Sequence, residues 1–283
     1  MVLRVMTFNI RGSFYEDGAN AWEKRAPLNM EVIQRQQPDL LGFQECDTGN
    51  LLTYQQHLSG YHRLLGAKIW PEAREPSSYN AIFWHPERLA LLETGSFWLS
   101  ETPEVPSIAW NAFSPRLATW ARFQLAPGRE LLHLNTHLDH ISAQAREQGA
   151  LLIVQRLRAL QKPQSAVIIT GDFNCNPDDP VHQTFFLSGL ADAYLATDHQ
   201  DIEHAVSAVG QPEDAYSNTV HAYGWSKKSS SGAKRRGPMR FDWILYADPA
   251  HNLYPLSCEI IRDGQPPVYP SDHYPVMAEF EVS

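Results

Sequence analysis

Hydrophobic residues along this chain follow two periods, one typical of strands and one typical of helices. Short runs in which apolar residues dominate predict strands at residues 2–10, 39–45, 79–85, 89–99, 117–125, 130–138, 166–170, 240–246, 257–261 and 275–282. Apolar residues at helical spacing predict helices over 22–36, 51–58 and 143–160. Pro38 ends the first helix, and Ser142 is the expected N-cap of the third. The apolar stripe predicted for the third helix is Ala150, Leu151, Val154, Leu157 and Leu160.

Strands outnumber helices and are spread over the whole length, without an internal repeat. This distribution favours an α+β fold, specifically a four-layer α/β/β/α sandwich. In that architecture two mainly antiparallel sheets pack face to face and the helices lie outside. The 283 residues suffice for one large domain or two small ones. Because no stretch resembles a linker, we expect a single catalytic domain over residues 1–283.

The charge and composition of the chain limit the kinds of molecule that it is expected to bind and the compartment in which it is expected to work. The net charge of −9 argues against tight non-specific binding to nucleic acid, although metal ions can supply positive charge locally. The three cysteines are expected to be buried free thiols in a reducing compartment. The N-terminal segment lacks the features of a signal peptide, and its apolar part is too short to span a membrane. We therefore expect a cytoplasmic protein, with secretion left open if a signal was trimmed.

Polar residues recur where the predicted strands end. They are Asn9, Glu45, His137, Asp172, Asn174, Asp242, Asp272 and His273. Any single one has a simpler explanation, since an Asp after a strand is usually a turn former or a helix cap. Together they suit metal-assisted phosphate hydrolysis, because carboxylate oxygens are preferred ligands of Mg²⁺ and imidazolium stabilises negative charge in the transition state.

Seven segments carry a resemblance that covers essentially the whole chain. They read TFNIRG at 7–12, PDLLGFQE at 38–45, PRLATWARF at 115–123, NTHLDH at 135–140, TGDFN at 170–174, FDWIL at 241–245 and SDHYPV at 271–276. In this order they resemble the endonuclease/exonuclease/phosphatase superfamily. The segments WEKR at 22–25 and FWLSETPEVPS at 97–107 are similar to a bacterial-type branch of poorly defined substrate, related to deadenylase-like members.

The resemblance implies a metal and a water site. Glu45 would be the main ligand of Mg²⁺ (or Mn²⁺), assisted by Asn9 and Asp272. Asp172 would position or deprotonate the attacking water. Asn174 would hold the phosphate or that water.

The resemblance also implies a phosphate site. His273 would bind a non-bridging phosphate oxygen and Asp242 would orient His273. His137 would stabilise the phosphate or assist the leaving group, and Arg116 would be a phosphate-binding guanidinium.

Four features near these segments are less decided. Many superfamily members carry a Gly-Glu pair where this chain has Ser77 and Ser78, and Glu75 is the nearest substitute. Asp139 is interpreted as a helix cap, with support of the phosphate site as the alternative. The basic segment 226–237 either steers an anionic substrate or is a solvated loop. Three tryptophans are candidates for a cleft wall: Trp70, Trp110 and Trp225.

The leading hypothesis is therefore a divalent-metal-dependent phosphodiesterase of nuclease type. Its substrate would be a nucleotide or a single-stranded nucleic acid. The alternative is a phosphomonoesterase acting on a small phosphorylated metabolite, sugar or lipid headgroup. A scaffold without activity is disfavoured because the ligand set is complete.

Overall fold

The computed structural model describes residues 1–70, 77–197, 218–223 and 239–283. Glu75, Trp225 and the basic segment 226–237 lie outside the described residues, so the roles predicted for them stay predictions. No helix in the described part of the chain is long and apolar enough to cross a bilayer.

Six strands form the first sheet, in the order β11-β12-β1-β2-β4-β3. They are β1 (Val2–Asn9), β2 (Leu40–Asp47), β3 (His62–Leu64), β4 (Ser78–Trp84), β11 (Leu253–Ile260) and β12 (Val276–Val282). Only β1 and β2 pair in parallel, and every other pairing in this sheet is antiparallel.

The second sheet repeats this plan in the order β5-β6-β7-β8-β10-β9. Its strands are β5 (Ala90–Trp98), β6 (Leu117–Ala126), β7 (Arg129–His137), β8 (Ala166–Asp172), β9 (Ala191–Asp192) and β10 (Asp242–Ala247). Here β7 and β8 are the parallel pair. The prediction of two mainly antiparallel sheets is thus confirmed.

Five α-helices among the described residues flank the sheets. They are α1 (Trp22–Gln36), α2 (Thr48–His57), α3 (Ala143–Leu160), α4 (Pro180–Leu187) and α5 (Ala193–Ala196). The bounds of α1 and α3 match the predicted ones, and Ser142 caps α3 by accepting from the amide of Ala145. Helix α2 begins three residues earlier than predicted because Asp47 and Asn50 form a capping box.

Some predictions fail on short elements or single positions. The hydrophobic pattern did not predict β3, β9, α4 and α5, which are too short for a clear hydrophobic period. In α3, Leu151 is 51% exposed, whereas Ile153 is fully buried and takes its place in the apolar stripe. Strand β11 begins at Leu253, four residues before the predicted start.

Three apolar clusters separate the four layers. The outer face of the first sheet packs on α1 and α2 through residues such as Met30, Phe43 and Tyr54. The outer face of the second sheet packs on α3 and α4 through residues such as Ile153 and Trp243. The third cluster fills the space between the sheets. The three cysteines are free and buried, as predicted.

The residues of a strand that face the other sheet change from apolar to polar along its length. Successive side chains of a strand point to opposite faces, so every second residue forms one row. The inward rows are Leu3, Val5, Thr7 and Asn9 on β1, Leu131, His133, Asn135 and His137 on β7, and Ala166, Ile168, Thr170 and Asp172 on β8. Each row begins apolar, becomes hydrogen-bonding in its middle and ends on a candidate site residue.

The middle of these rows contains a buried hydrogen-bond network between the sheets. Asn135 of the second sheet donates to the carbonyls of Phe43 (2.8 Å) and Ala81 (3.0 Å) in the first. Its Oδ1 accepts from Gln44 Nε2 at 2.7 Å. Because buried polar groups are costly unless paired, this network fixes how the sheets align.

Close approach of the sheets depends on Gly42. A β-carbon at this position would lie 2.0 Å from Thr170 Oγ1 and 2.7 Å from Asn135 Oδ1. Glycine therefore leaves room for the polar network directly beneath the candidate site residues.

His133 completes the network in its neutral form. Thr170 Oγ1 donates to Asn135 Oδ1 (3.1 Å), so His133 Nε2, 2.9 Å from the hydroxyl, donates to it. The Nδ1 atom is buried without a hydrogen-bond partner among the described residues. Complete burial lowers the pKa of His133 to about 3.

We predict that His133 contributes to acid instability. Its unfolded-state pKa is near 6.5, so stability is complete above pH 6.5 and is lost as the pH falls toward 3. The His133→Gln variant keeps the donor to Thr170 but cannot titrate. We would measure the free energy of unfolding in urea at pH 7, 6 and 5. As the pH falls, this free energy should decrease less steeply in the variant than in the wild type, and the two slopes should differ by up to about 1.4 kcal/mol per pH unit. Equal slopes for both proteins would contradict the prediction.

Candidate active site

The candidate site lies where the inward rows of both sheets end. Asn9 ends β1, His137 ends β7 and Asp172 ends β8. The strand register places Asp172 directly beside both His137 and Asp242 on the neighbouring strands. Because the carboxyl ends of parallel strands meet at one edge, the two sheets deliver their polar residues to the same place.

Asn9 links the two sheets at this edge. Its Nδ2 donates to Glu45 Oε1 of the first sheet (3.1 Å) and to Asp172 Oδ2 of the second (3.0 Å). Its Oδ1 accepts from the amide of Arg11 at 3.1 Å. In this orientation Asn9 holds two carboxylates together and turns its own oxygen toward the backbone.

Glu45 reaches the site because β2 is irregular. The pairing of β2 with β4 shifts register between Phe43 and Cys46, and Glu45 has a left-handed φ of 58°. Such a conformation costs a residue with a β-carbon about 1–2 kcal/mol and is typical of functional positions. The bulge leaves Glu45 half-buried at the site while Cys46 packs in the core beneath α1 and α2.

Asp172 is the centre of the site. Its Oδ2 lies 3.4 Å from His137 Nε2 and 3.8 Å from His273 Nε2, and its Oδ1 accepts from the amide of Asn174 at 2.9 Å. Burial, aided by the neighbouring charge of Asp242 and opposed by His273, raises the pKa of Asp172 to about 7. This value suits a group that exchanges a proton with water near neutral pH.

The two histidines differ in charge. Burial alone would lower the pKa of His273, but Asp242 and Asp172 outweigh it and hold that pKa well above its usual value. His273 Nδ1 lies 2.9 Å from Asp242 Oδ2, which leaves Nε2 directed at Asp172. Burial, together with the positive charge of Arg116, lowers the pKa of His137 well below its usual value. His273 is therefore an imidazolium and His137 a neutral imidazole.

Asn174 is fixed in a tight turn after β8. Its φ of 53° is left-handed, which asparagine tolerates better than most residues. Its Nδ2 donates to the carbonyl of Leu138 (3.0 Å), so its Oδ1 is the amide atom that remains for a ligand.

Arg116 is almost completely enclosed beside these groups. Its Nε donates to Asp139 Oδ2 at 3.4 Å, and its Nη2 lies 3.0 Å from His140 Nδ1. Burial lowers the pKa of Arg116, and the charges of Asp139, Asp172 and Glu45 act against that shift. A guanidinium so enclosed is positioned to bind an anion that enters the site.

Asp139 supports Arg116 and also shapes the turn before α3. Its Oδ1 accepts from the amides of Ile141 (3.0 Å) and Ser142 (2.8 Å), and its Oδ2 accepts from the amide of Phe113 (2.9 Å). Ser142, not Asp139, is the N-cap of α3. The interpretation of Asp139 as the helix cap is therefore wrong, because the carboxylate lies one turn too early in the chain.

Two residues that the sequence analysis missed line the Asp272 side of the site. Arg11 Nη1 lies 3.8 Å from Asp272 Oδ2, and the Arg11 guanidinium stacks 3.5 Å above the ring of Tyr15. Burial, reinforced by the charge of Glu45, raises the pKa of Tyr15, so its hydroxyl stays protonated. Asp17 pairs with Arg11 through both carboxylate oxygens. Arg11 belongs to the segment TFNIRG, but it and Tyr15 lie in the loop after β1, where no hydrophobic period marks them.

The sequence matches one family model over almost its full length. The model describes the endonuclease/exonuclease/phosphatase family and matches residues 6–273. The chain belongs to this family. Membership confirms the enzyme class predicted from the sequence, a phosphoesterase, and the family's enzymes generally depend on a divalent metal.

Individual family members resemble the chain at modest identity. Human nocturnin is 26% identical over 308 residues, which cover 99% of this chain but 65% of nocturnin, so the chain spans less than two thirds of that relative. A family member from Bacteroides vulgatus superposes with a TM-score of 0.81 at 25% identity over the full length of both chains. The mannosyl-6-phosphatase of Bacteroides thetaiotaomicron superposes with a TM-score of 0.78 at 27% identity, covering 98% of this chain and 99% of that one.

We predict that Asp242 keeps His273 charged in this family member. The Asp242→Asn variant retains a hydrogen-bonding group at the same place but removes the charge that raises the pKa of His273. The turnover number should fall by about 10²-fold, and the alkaline limb of its pH profile should move to lower pH. Asp248→Asn is the matched control, because Asp248 only closes the turn around Leu253. An unchanged alkaline limb would contradict the prediction.

Proposed function

We propose that the chain hydrolyses phosphodiesters of nucleotide type with a bound divalent cation. The observation that carries the proposal is the convergence of carboxylates with cationic and neutral hydrogen-bond donors at one edge of two sheets. Asn9 joins Glu45 to Asp172 through its amide nitrogen. His273 Nε2 lies 3.8 Å from Asp172 Oδ2, and Asp172 also acts electrostatically on the buried Arg116. Both cations supply groups that a phosphate requires.

A divalent cation fits this donor set. Glu45, Asp172, Asp242 and Asp272 converge at the site, and Asp242 Oδ1 is buried without a hydrogen-bond partner among the described residues. Carboxylates gathered in this way favour a hard cation such as Mg²⁺ or Mn²⁺. When bound, such a cation acts as a Lewis acid and makes water more nucleophilic.

Two groups of residues could hold the cation, and we assign it to Glu45 with Asp272 and Asn9. Ligand atoms of Asp172, Asp242 and His273 also lie within 4.8 Å of one another. In that trio His273 is held protonated by the two carboxylates, and a protonated imidazole has no lone pair to offer a cation. Glu45 is more exposed, and Asn9 would offer its oxygen to the cation by rotating its amide.

The remaining residues act on phosphate and water. Asp172 accepts a proton from the attacking water, which Asn174 Oδ1 helps to hold. His273 donates from Nε2 to a non-bridging oxygen, and Asp242 keeps it oriented and charged. Arg116 binds a second oxygen. His137 is neutral, so it donates a hydrogen bond to the phosphate, which supports the first of its two predicted roles.

Exposed aromatic rings beside the site favour a substrate with a planar group. Phe113 is 68% exposed and packs against His140, the neighbour of Arg116. Phe14 is 44% exposed and packs on Tyr15, beside Glu45. A base bound near either ring would gain stacking energy of about 1–3 kcal/mol.

A phosphomonoester is the second candidate substrate class. The similarity to the mannosyl-6-phosphatase spans both chains almost completely, and it is of the same order as the similarity to nocturnin. An enclosed Arg116 and a charged His273 would also bind the dianion of a monoester.

Parallel assays distinguish these candidates. We predict that Mg²⁺ or Mn²⁺ supports hydrolysis of bis-p-nitrophenyl phosphate, that EDTA abolishes it and that Asp172→Asn lowers it by at least ~10²-fold. Faster hydrolysis of p-nitrophenyl phosphate would instead support the monoesterase. Absence of turnover of either ester with any divalent metal would refute the proposal.

A further inference from the structure

Arg25 of α1 is completely buried, yet it forms no ion pair with a carboxylate among the described residues. A buried arginine is normally paired with an acid, because an isolated charge in the interior is costly. Arg25 belongs to the segment WEKR, to which the proposed function assigns no role.

Every donor nitrogen of Arg25 is used on backbone carbonyls. The Nε donates to Asn20 (2.9 Å), and Nη2 donates to Arg11 and to Gly12 (3.3 Å). These three carbonyls lie between β1 and α1, where the chain has left the sheet and has no neighbouring strand to pair with.

One nitrogen of Arg25 bridges two loops. Nη1 donates to the carbonyl of Ile10 at 2.7 Å and to the carbonyl of Pro270 at 3.1 Å. Ile10 directly follows Asn9, and Pro270 lies two residues before Asp272. The guanidinium therefore links the backbone next to Asn9 with the backbone next to Asp272.

Neighbouring residues hold Arg25 rigidly. Its guanidinium lies 4.8 Å from the ring centre of Trp22, which packs against Tyr54. Asn29, one turn further along α1, donates to the same Pro270 carbonyl (3.1 Å) and accepts from Tyr54 (2.8 Å). Arg25 thus transmits the position of α1 to both loops.

We propose that Arg25 is a positioning residue that sets the separation between Asn9 and Asp272 and thereby the affinity of the site for a divalent cation. The inference rests on the proposed metal site. It assigns Arg25 no contact with metal or substrate. Lysine cannot replace it, because one ammonium group cannot reach carbonyls on both loops in the planar arrangement of a guanidinium.

The test is calorimetric titration of Mn²⁺ into the wild type, Arg25→Lys and Arg122→Lys. Arg122 is the control, because it is also a buried arginine. It donates to the carboxylate of Glu93 (2.7 Å) and to the backbone carbonyl of Leu160 (2.5 Å). It lies in the middle of β6. Both variants should lower the melting temperature. Only Arg25→Lys should raise the dissociation constant of Mn²⁺, by tenfold or more.

The outcomes decide the inference separately from the proposed function, except that absence of Mn²⁺ binding to the wild type would contradict both. A dissociation constant for Arg25→Lys within twofold of the wild type would overturn it, as would an equal loss in Arg122→Lys or absence of Mn²⁺ binding to the wild type. Binding of Mn²⁺ without turnover of any ester would refute the proposed function and leave the role of Arg25 intact. If Arg25→Lys does not fold, Asn29→Ala should weaken Mn²⁺ binding about threefold, and unchanged binding would overturn the inference.

Discussion

The close approach of the two sheets at Gly42 is the constraint on which the site depends. A side chain there would occupy the space of Thr170 and Asn135. Because glycine leaves this space open, Asn135 can donate hydrogen bonds to two backbone carbonyls of the first sheet. These bonds fix how the two sheets align. The last inward-facing residue of each row then lies at the edge of the sheets, where Asn9 and Asp172 come within hydrogen-bond distance of each other. Layer packing and site geometry therefore have one cause.

Burial and charge are balanced around Asp172. The same enclosure raises the pKa of Asp172 to about 7 and lowers that of His137. The pKa of His273 is instead held well above its usual value, because Asp242 and Asp172 face it. The result is one proton acceptor, one charged donor and one neutral donor within a few ångströms, which is a suitable set for hydrolysis of a phosphate ester.

Much of this arrangement was visible in the sequence, because the strand-end residues and the family motifs are local. The inward rows could also have been recognised from alternation alone, for example Leu131, His133, Asn135 and His137. Other features were beyond reach. The bulge at Glu45 and the bond from Arg11 to Asp17 depend on tertiary contacts, and Arg25 looks like an ordinary polar residue on a helix until its carbonyl partners are known.

The proposed function requires a divalent cation where the two sheets meet, held chiefly by Glu45. The most direct measurement is a crystal structure with Mn²⁺ recorded at its absorption edge. We expect an anomalous peak at coordination distance, about 2.0–2.3 Å, from a carboxylate oxygen of Glu45. A peak coordinated only by Asp172, Asp242 and His273, or no peak in the site, would contradict it.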